Sequence, residues 1–296
     1  MQDRIGLNCA LSTPFRADQS VDLGKLVAHA RWVMANGCDG ITVFGTTGEG
    51  ASLGLPPRHQ VLAALDAAGI DLRGKVFAGV SASAIEDVVA QSRLALEAGC
   101  RGLLLAPPFY FTGVSDEALF AFFAQVIEAL GAQARNILLY HIPGMTGVPL
   151  SIALTQRLNT AFPGVILGVK DSHGDWAATE RRLAELPGLQ ILVGDERQLA
   201  RAVRQGGAGS ICGLANVAPD LLGPLARDGL ADDRVNRMVE AILGHSFMPA
   251  IKALIAARLG DPAWRTMRAP LDALSAEDGA ALHGVLETIR ATSGPA

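Results

Sequence analysis

Lysine and tyrosine are the scarce residues of this chain. Four lysines (Lys25, Lys75, Lys170, Lys252) stand against twenty-one arginines, and the only phenols are Tyr110 and Tyr140. Lysine is therefore not the default surface cation, and each one asks for a local reason. Cysteine is also sparse. Cys9, Cys38, Cys100 and Cys212 lie far apart with no CxxC pair, which suggests neither a zinc site nor a disulfide framework and fits a reducing cytoplasm. A net charge of −4 leaves no electrostatic footprint for nucleic acid. Gly, Pro or a charge interrupts every apolar stretch before it reaches transmembrane length, and the opening Met1-Gln2-Asp3-Arg4 lacks the basic-then-apolar pattern of a signal peptide. The expectation is a soluble, cytoplasmic protein that handles small molecules, with no membrane or nucleic-acid partner.

What is present is alternation. With 296 residues, half of them hydrophobic, the chain can hold one large core and a small appendage, or two modest domains. Strand-like runs at Ile5-Leu11, Gly40-Phe44, Lys75-Val80, Arg101-Leu105, Ile137-His141, Val165-Lys170, Gln190-Val193 and Ala208-Cys212 alternate with longer amphipathic stretches. In one of these, Leu23, Leu26, Val27, Ala30, Val33 and Met34 follow a helix start at Ser20/Asp22, and Gly37 suits the stop. A weak repeat, Ala35-Asn36-Gly37-Cys38-Asp39-Gly40 and Glu97-Ala98-Gly99-Cys100-Arg101-Gly102, ends a helix with glycine and enters a buried strand twice. Eight such units predict an α/β fold, a (β/α)8 barrel over residues 1–225, with a helical C-terminal subdomain over 226–296; a doubly wound open sheet is the alternative.

In a barrel of this kind the active site gathers at the carboxyl ends of the strands, where Thr46, Tyr110, Tyr140, Lys170 and Asp195 fall. Lys170 closes the apolar run Val165-Ile166-Leu167-Gly168-Val169, and desolvation at such a strand tip favours the neutral, nucleophilic form of an amine. Gly45-Thr46-Thr47-Gly48-Glu49-Gly50 follows the second strand, and a turn of this composition aims backbone N–H groups and hydroxyls at an anion such as a carboxylate. Tyr140 ends the strand before that of Lys170. An amine, a phenol and a carboxylate cradle together point to a 2-oxo acid held as an imine, with the phenol relaying protons.

These residues resemble the dihydrodipicolinate synthase / N-acetylneuraminate lyase family of class I, Schiff-base aldolases. Gly45-Thr46-Thr47-Gly48-Glu49 resembles its pyruvate-carboxylate motif, Leu139-Tyr140-His141-Ile142-Pro143 its tyrosine motif and Gly168-Val169-Lys170-Asp171-Ser172 its lysine motif. Gly206-Gly207-Ala208-Gly209-Ser210, continuing to Ala215-Asn216-Val217-Ala218-Pro219, matches the pattern around the eighth strand. The resemblance spans roughly residues 5 to 290. It implies a homotetrameric barrel without metal or organic cofactor. Lys170 would attack the ketone of pyruvate or another 2-oxo acid, Gly45, Thr46 and Thr47 would hold its carboxylate, and Tyr140 would shuttle protons. A second tyrosine, donated across a subunit interface in many members, falls within Phe109-Tyr110-Phe111, with Tyr110 as the candidate.

Two departures bear on the second substrate. Dihydrodipicolinate synthases usually carry an arginine two residues after the proline of the tyrosine motif, used for the carboxylate of the aldehyde partner, and this chain has Met145 there. A thioether makes no bidentate pair with a carboxylate. His141, His173, Asp195 and Glu196, with Ser210 at the eighth strand, are the polar groups expected around the mouth, where a hydroxylated tail would use them. The function expected is a lyase that cleaves or forms a 2-oxo-3-deoxy sugar acid with pyruvate as one partner. The alternatives are a 4-hydroxy-tetrahydrodipicolinate synthase, a dehydratase or deaminase using the same imine, a non-catalytic 2-oxo acid sensor, and a phosphate-binding barrel using the 206–210 loop.

Overall fold

Eight short strands, β1 (Gly6–Ala10), β2 (Gly40–Val43), β3 (Val76–Val80), β4 (Gly102–Leu105), β5 (Ile137–His141), β6 (Ile166–Asp171), β7 (Gln190–Val193) and β8 (Gly209–Cys212), pair in parallel in chain order, and β8 closes onto β1. The computed structural model describes residues 4–292; residues 1–3 and 293–296, the outer ends of the two expected domains, lie outside the described residues. The open-sheet alternative is excluded by the closure. All eight sequence-predicted strands form. Their near-continuous apolar character has a simple cause: both faces of a parallel barrel are covered. Phe77, Leu104, Leu138, Leu167, Leu192 and Ile211 fill the lumen, while Leu103, Leu105, Leu139, Val169 and Cys212 face the surrounding helices.

The helices begin where their caps require. Asp22 accepts the N–H of Lys25 to start the helix Leu23–Ala35, whose buried face is Leu26, His29, Ala30 and Val33. Ser115, Ser151 and Asp175 cap the helices Asp116–Leu130, Ile152–Ala161 and Trp176–Glu185 in the same way. No single helix among the described residues is long and apolar enough to cross a membrane.

After β8 only helices remain. The first, Pro219–Asp228, packs against β1 and the helix Leu199–Arg204, so the expected division after residue 225 falls inside an element of the barrel wall. Helices Asp233–Leu243, Phe247–Leu259 and Ala276–Ala291 then pack on one another. The middle one reaches the barrel mouth. Its Lys252, fully buried, forms an ion pair with the buried Glu49 of the loop after β2. Lys252 Nζ also donates to the Thr266 carbonyl at 2.7 Å, and the Arg268 N–H donates to Glu49 Oε2 at 2.9 Å. The C-terminal segment is thereby fastened to the loop that carries the threonines.

Candidate active site

Strand register builds the centre. Tyr140 and Lys170 are paired neighbours on β5 and β6, and both side chains point into the lumen at the carboxyl end of the barrel, 5% exposed each. Lys170 Nζ lies 3.1 Å from the Tyr140 hydroxyl and 4.3 Å from the centre of its ring. Thr46 Oγ1 lies 3.3 Å from the same hydroxyl. Burial alone would raise the Tyr140 phenol, but the positive charge of Lys170 and hydrogen bonds from Thr46, Lys170 and Ser172 outweigh it and hold the phenol below its ordinary value. The arrangement can take a proton from, or return one to, an atom bonded to the Lys170 nitrogen.

The loop after β2 is a rigid cradle. Phe44 and Glu49 both adopt left-handed backbone (φ 60° and 53°), an uncommon state for such residues. Its glycines allow close backbone approach: a Cβ on Gly50 would collide with the Phe44 carbonyl, and one on Gly48 would lie 2.6 Å from the Leu11 carbonyl. The N–H groups of Gly48 and Gly50 turn inward to the Gly45 carbonyl, at 3.1 Å each. Among the described residues, the N–H groups of Thr46 and Thr47 meet no backbone or side-chain acceptor, which leaves both N–H groups free to donate to an anion. Thr47 is buried and Thr46 partly so.

Beside Tyr140 and Thr46 opens a cavity of about 270 Å³ over the ends of β2 to β5, roofed by Met248, Pro270 and Leu271 from the C-terminal segment. Met145, 60% exposed, stands at its rim.

Other expected residues are not brought there. His141 alternates with Tyr140 along β5, so it faces the helices; its Nδ1 accepts the Leu150 N–H at 3.0 Å. Burial, then the nearby Arg182 charge, pull its pKa to about 4 despite the opposing pull of Asp171. The imidazole is neutral, with its proton on Nε2, and serves as a strut. Asp195 caps the turn at 196–198 and pairs with Arg197 at 2.7 Å. Glu196 is buried and accepts the Leu214 N–H at 2.8 Å. Ser210 alternates with the inward Ile211 and donates to the Val193 carbonyl at 2.7 Å. His141, Glu196 and Ser210 are thus spent on backbone groups, and Asp195 on its own turn. Tyr110 sits on the loop after β4, 78% exposed and edge-on to Phe111, outside the cavity that its neighbour Phe109 lines. Within one protomer it is not joined to Tyr140. Among the described residues, no group of three or more His, Cys, Asp or Glu side chains converges as a metal site.

Sequence reasoning passed over Arg58. It is buried, stacks on Phe44, and donates to the carbonyls of Leu53, Gly79 and Gly50 at 2.9, 2.7 and 2.7 Å, bracing the cradle against β3. Its signal was in the sequence: Arg58, Val61, Leu62 and Leu65 form the buried face of the helix Leu55–Ala67, and a charge within an apolar stripe marks a satisfied interior cation. Lys252 carries the same mark, within the buried run Ile251 to Ala256.

Comparison with known proteins agrees with this architecture over the whole chain. Residues 4–289 match the dihydrodipicolinate synthetase family. A DapA-like lyase of Chloroflexus aurantiacus is 33% identical over 306 residues, covering 100% of both chains. The 4-hydroxy-tetrahydrodipicolinate synthase 1 of Streptomyces coelicolor is 32% identical, covering 97% of this chain and 94% of its own. The crystal structure of dihydrodipicolinate synthase from Agrobacterium tumefaciens superposes with a TM-score of 0.94 at 46% identity, covering 97% of this chain and 99% of its own. The chain belongs to the dihydrodipicolinate synthetase family and is an enzyme of its pyruvate-dependent lyase class.

Proposed function

We propose that Lys170 forms an imine with the 2-oxo carbon of its substrate and that the protein makes or breaks a carbon-carbon bond with pyruvate as one partner. The observation that carries this reading is the buried contact of Lys170 Nζ with the Tyr140 hydroxyl at 3.1 Å, with Thr46 on the same hydroxyl. In the cleavage direction the amine adds to the ketone and water leaves, giving a protonated imine. Tyr140, as phenolate, takes the proton of the C4 hydroxyl; the C3–C4 bond breaks, its electron pair entering the imine as an enamine, and an aldehyde departs. Protonation at C3 and hydrolysis release pyruvate and restore the amine. The N–H groups and hydroxyls of Thr46 and Thr47, with Gly45 forming the turn, would hold the carboxylate throughout. Chemistry at the imine needs no metal or organic cofactor.

The test is intact mass after pyruvate and borohydride, on wild type and on Lys170→Ala. A reduced pyruvyl adduct on wild type alone is expected; no adduct on either folded protein would overturn the imine and turn attention to a sensor or phosphate-binding barrel.

The sugar-acid version of the reaction drew on His141, His173, Asp195, Glu196 and Ser210, and it loses the support of His141, Asp195, Glu196 and Ser210, whose side chains are occupied elsewhere; His173 is exposed and edge-on to His141. A second reading, 4-hydroxy-tetrahydrodipicolinate synthase, is favoured by the Agrobacterium tumefaciens structure at 46% identity and disfavoured by Met145 at the position where synthases usually carry arginine. Turnover with aspartate semialdehyde decides it. A dehydratase or deaminase outcome would show as loss of water or ammonia from the 2-oxo acid without aldehyde release.

A homotetramer is the proposed assembly, supported by family membership and by the exposed cluster of Phe109, Tyr110 and Phe111. Tyr110 would extend the proton relay only across such an interface. Four buried free cysteines fit a reducing compartment, the cytoplasm.

A further inference from the structure

The cavity beside Tyr140, the space next to the imine end that is open to a second partner, is chiefly apolar. Beyond Thr46 and Tyr140, which belong to the imine end, its walls are chiefly Val80, Leu104, Phe109, Ile142, Met145 and Leu271. No arginine, lysine or histidine lines it. The one carboxylate on its wall, Glu49, is spent on Lys252 and the Arg268 N–H. The Thr146 hydroxyl is spent on the carbonyls of Ile142 and Val148, at 3.1 and 3.2 Å. Ser52 and Ser81 are the remaining hydroxyls, both on the β2 and β3 side.

We propose that the aldehyde partner is apolar, an aromatic or branched alkyl aldehyde, so that the substrate in the cleavage direction is a 4-hydroxy-2-oxo acid bearing an apolar group at C4. This rests on the imine reading and specifies its second substrate. A sugar or semialdehyde tail would find only the Ser52 and Ser81 hydroxyls, on the β2 and β3 side, for its several hydroxyls or its carboxylate, and a buried polar group without a partner is costly. An apolar tail meets the same walls with no such loss, and each added methylene in a hydrophobic pocket improves selection by roughly 10–200-fold. The volume of about 270 Å³ lies just below that of pockets for drug-sized ligands, ~300–1,000 Å³. It suits a ring-sized substituent extending from the imine end at Tyr140 and Thr46. The reaction balances as R–CH(OH)–CH₂–CO–COO⁻ → R–CHO + CH₃–CO–COO⁻, the water lost on imine formation being returned on hydrolysis.

The experiment has two stages on the full-length protein. Borohydride trapping of pyruvate comes first and reports on Lys170 alone; failure there removes the imine reading and this proposal with it. With trapping positive, cleavage of 4-hydroxy-2-oxo-4-phenylbutanoate is compared with that of 2-oxo-3-deoxygluconate, and condensation of pyruvate with aspartate semialdehyde with that of benzaldehyde, each as kcat/KM. The phenyl compounds are expected to lead by at least about tenfold. Parity, or preference for the polar compounds, overturns the proposal while leaving the imine intact. Because free aldehydes differ in reactivity, the ratio is measured again in Met145→Arg, which puts a guanidinium at the exposed rim. The ratio of benzaldehyde to aspartate semialdehyde should fall by about tenfold or more; an unchanged ratio places the second partner away from this cavity and also overturns the proposal.

Discussion

Tyr140 is held between two opposing influences, and its chemistry follows from which one wins. Burial opposes ionisation of the phenol, while the Lys170 charge and hydroxyl hydrogen bonds favour it more strongly, so the proton leaves more readily than from a free tyrosine. A base of lowered pKa matches proton transfer near neutral pH. Tyr140→Phe keeps the ring that packs against the Lys170 chain and removes only the hydroxyl. Turnover of the 2-oxo acid should fall by about 10²–10⁴-fold, while borohydride still traps pyruvate on Lys170 after long incubation. An unchanged turnover would take the phenol out of proton transfer. Lys170, Tyr140 and Thr46 were legible as neighbours because each ends, or follows, an inward-facing strand position. His141 was misread for want of one further step: side chains alternate along β5, so an inward Tyr140 turns His141 outward. Glu196 and Ser210 offered no comparable clue, because their partners, the Leu214 N–H and the Val193 carbonyl, depend on how neighbouring strands and loops meet.

At the scale of elements, the unit that matters is the β2 loop with its two braces, Arg58 from the following helix and Lys252 from the helix Phe247–Leu259. The helices of the C-terminal segment could be read from their apolar spacing. Their docking could not, since the tie from Glu49 to Lys252 and Arg268 crosses about two hundred residues of sequence and depends on the closed barrel. Ionic partners this deeply buried are expensive to separate, because removing one leaves the other charged and desolvated. Lys252→Met should therefore cost about 3–5 kcal/mol of unfolding free energy, and Glu49→Gln with Lys252→Met should recover much of it, the amide oxygen still accepting the Arg268 N–H. Urea unfolding of the three proteins measures both. If the double variant is as unstable as the single, the loss comes from other contacts of Lys252, among them its ammonium over the Phe15 ring, and not from an orphaned carboxylate. The same loosening should weaken pyruvate trapping, since the tie anchors the loop that carries Thr46 and Thr47.

The molecule as a whole carries two neutral histidines that make its stability depend on pH. His29 lies in the seam where β8 closes on β1: its Nε2 donates to Asn216 Oδ1 at 2.9 Å, and Asn216 in turn donates to the Ala10 and Gly213 carbonyls, at 2.8 and 2.9 Å. Burial is the main reason that its pKa drops from 6.5 to about 4; the Arg258 charge adds to the fall and the Asn216 hydrogen bond opposes it. Among the described residues no partner reaches its Nδ1, so a second proton would place an unsatisfied N–H inside the apolar seam. His141 shows the same fall, with burial again the first cause. Between about pH 6.5 and 4 the unfolded chain protonates both imidazoles and the native state neither, so falling pH draws the protein toward the unfolded state. Each contributes a limiting slope of about 1.36 kcal/mol per pH unit, and together about 2.7. Urea unfolding at pH 7.5, 6.0 and 5.0 should show a plateau near the top of this range and a growing loss below pH 6.5. His141→Asn can still accept the Leu150 N–H through its side-chain oxygen but has no proton to gain, so it should cut the slope by about half. A slope unaltered in that variant would mean that His141 is already charged in the folded protein, against both its burial and the donor that faces its Nδ1.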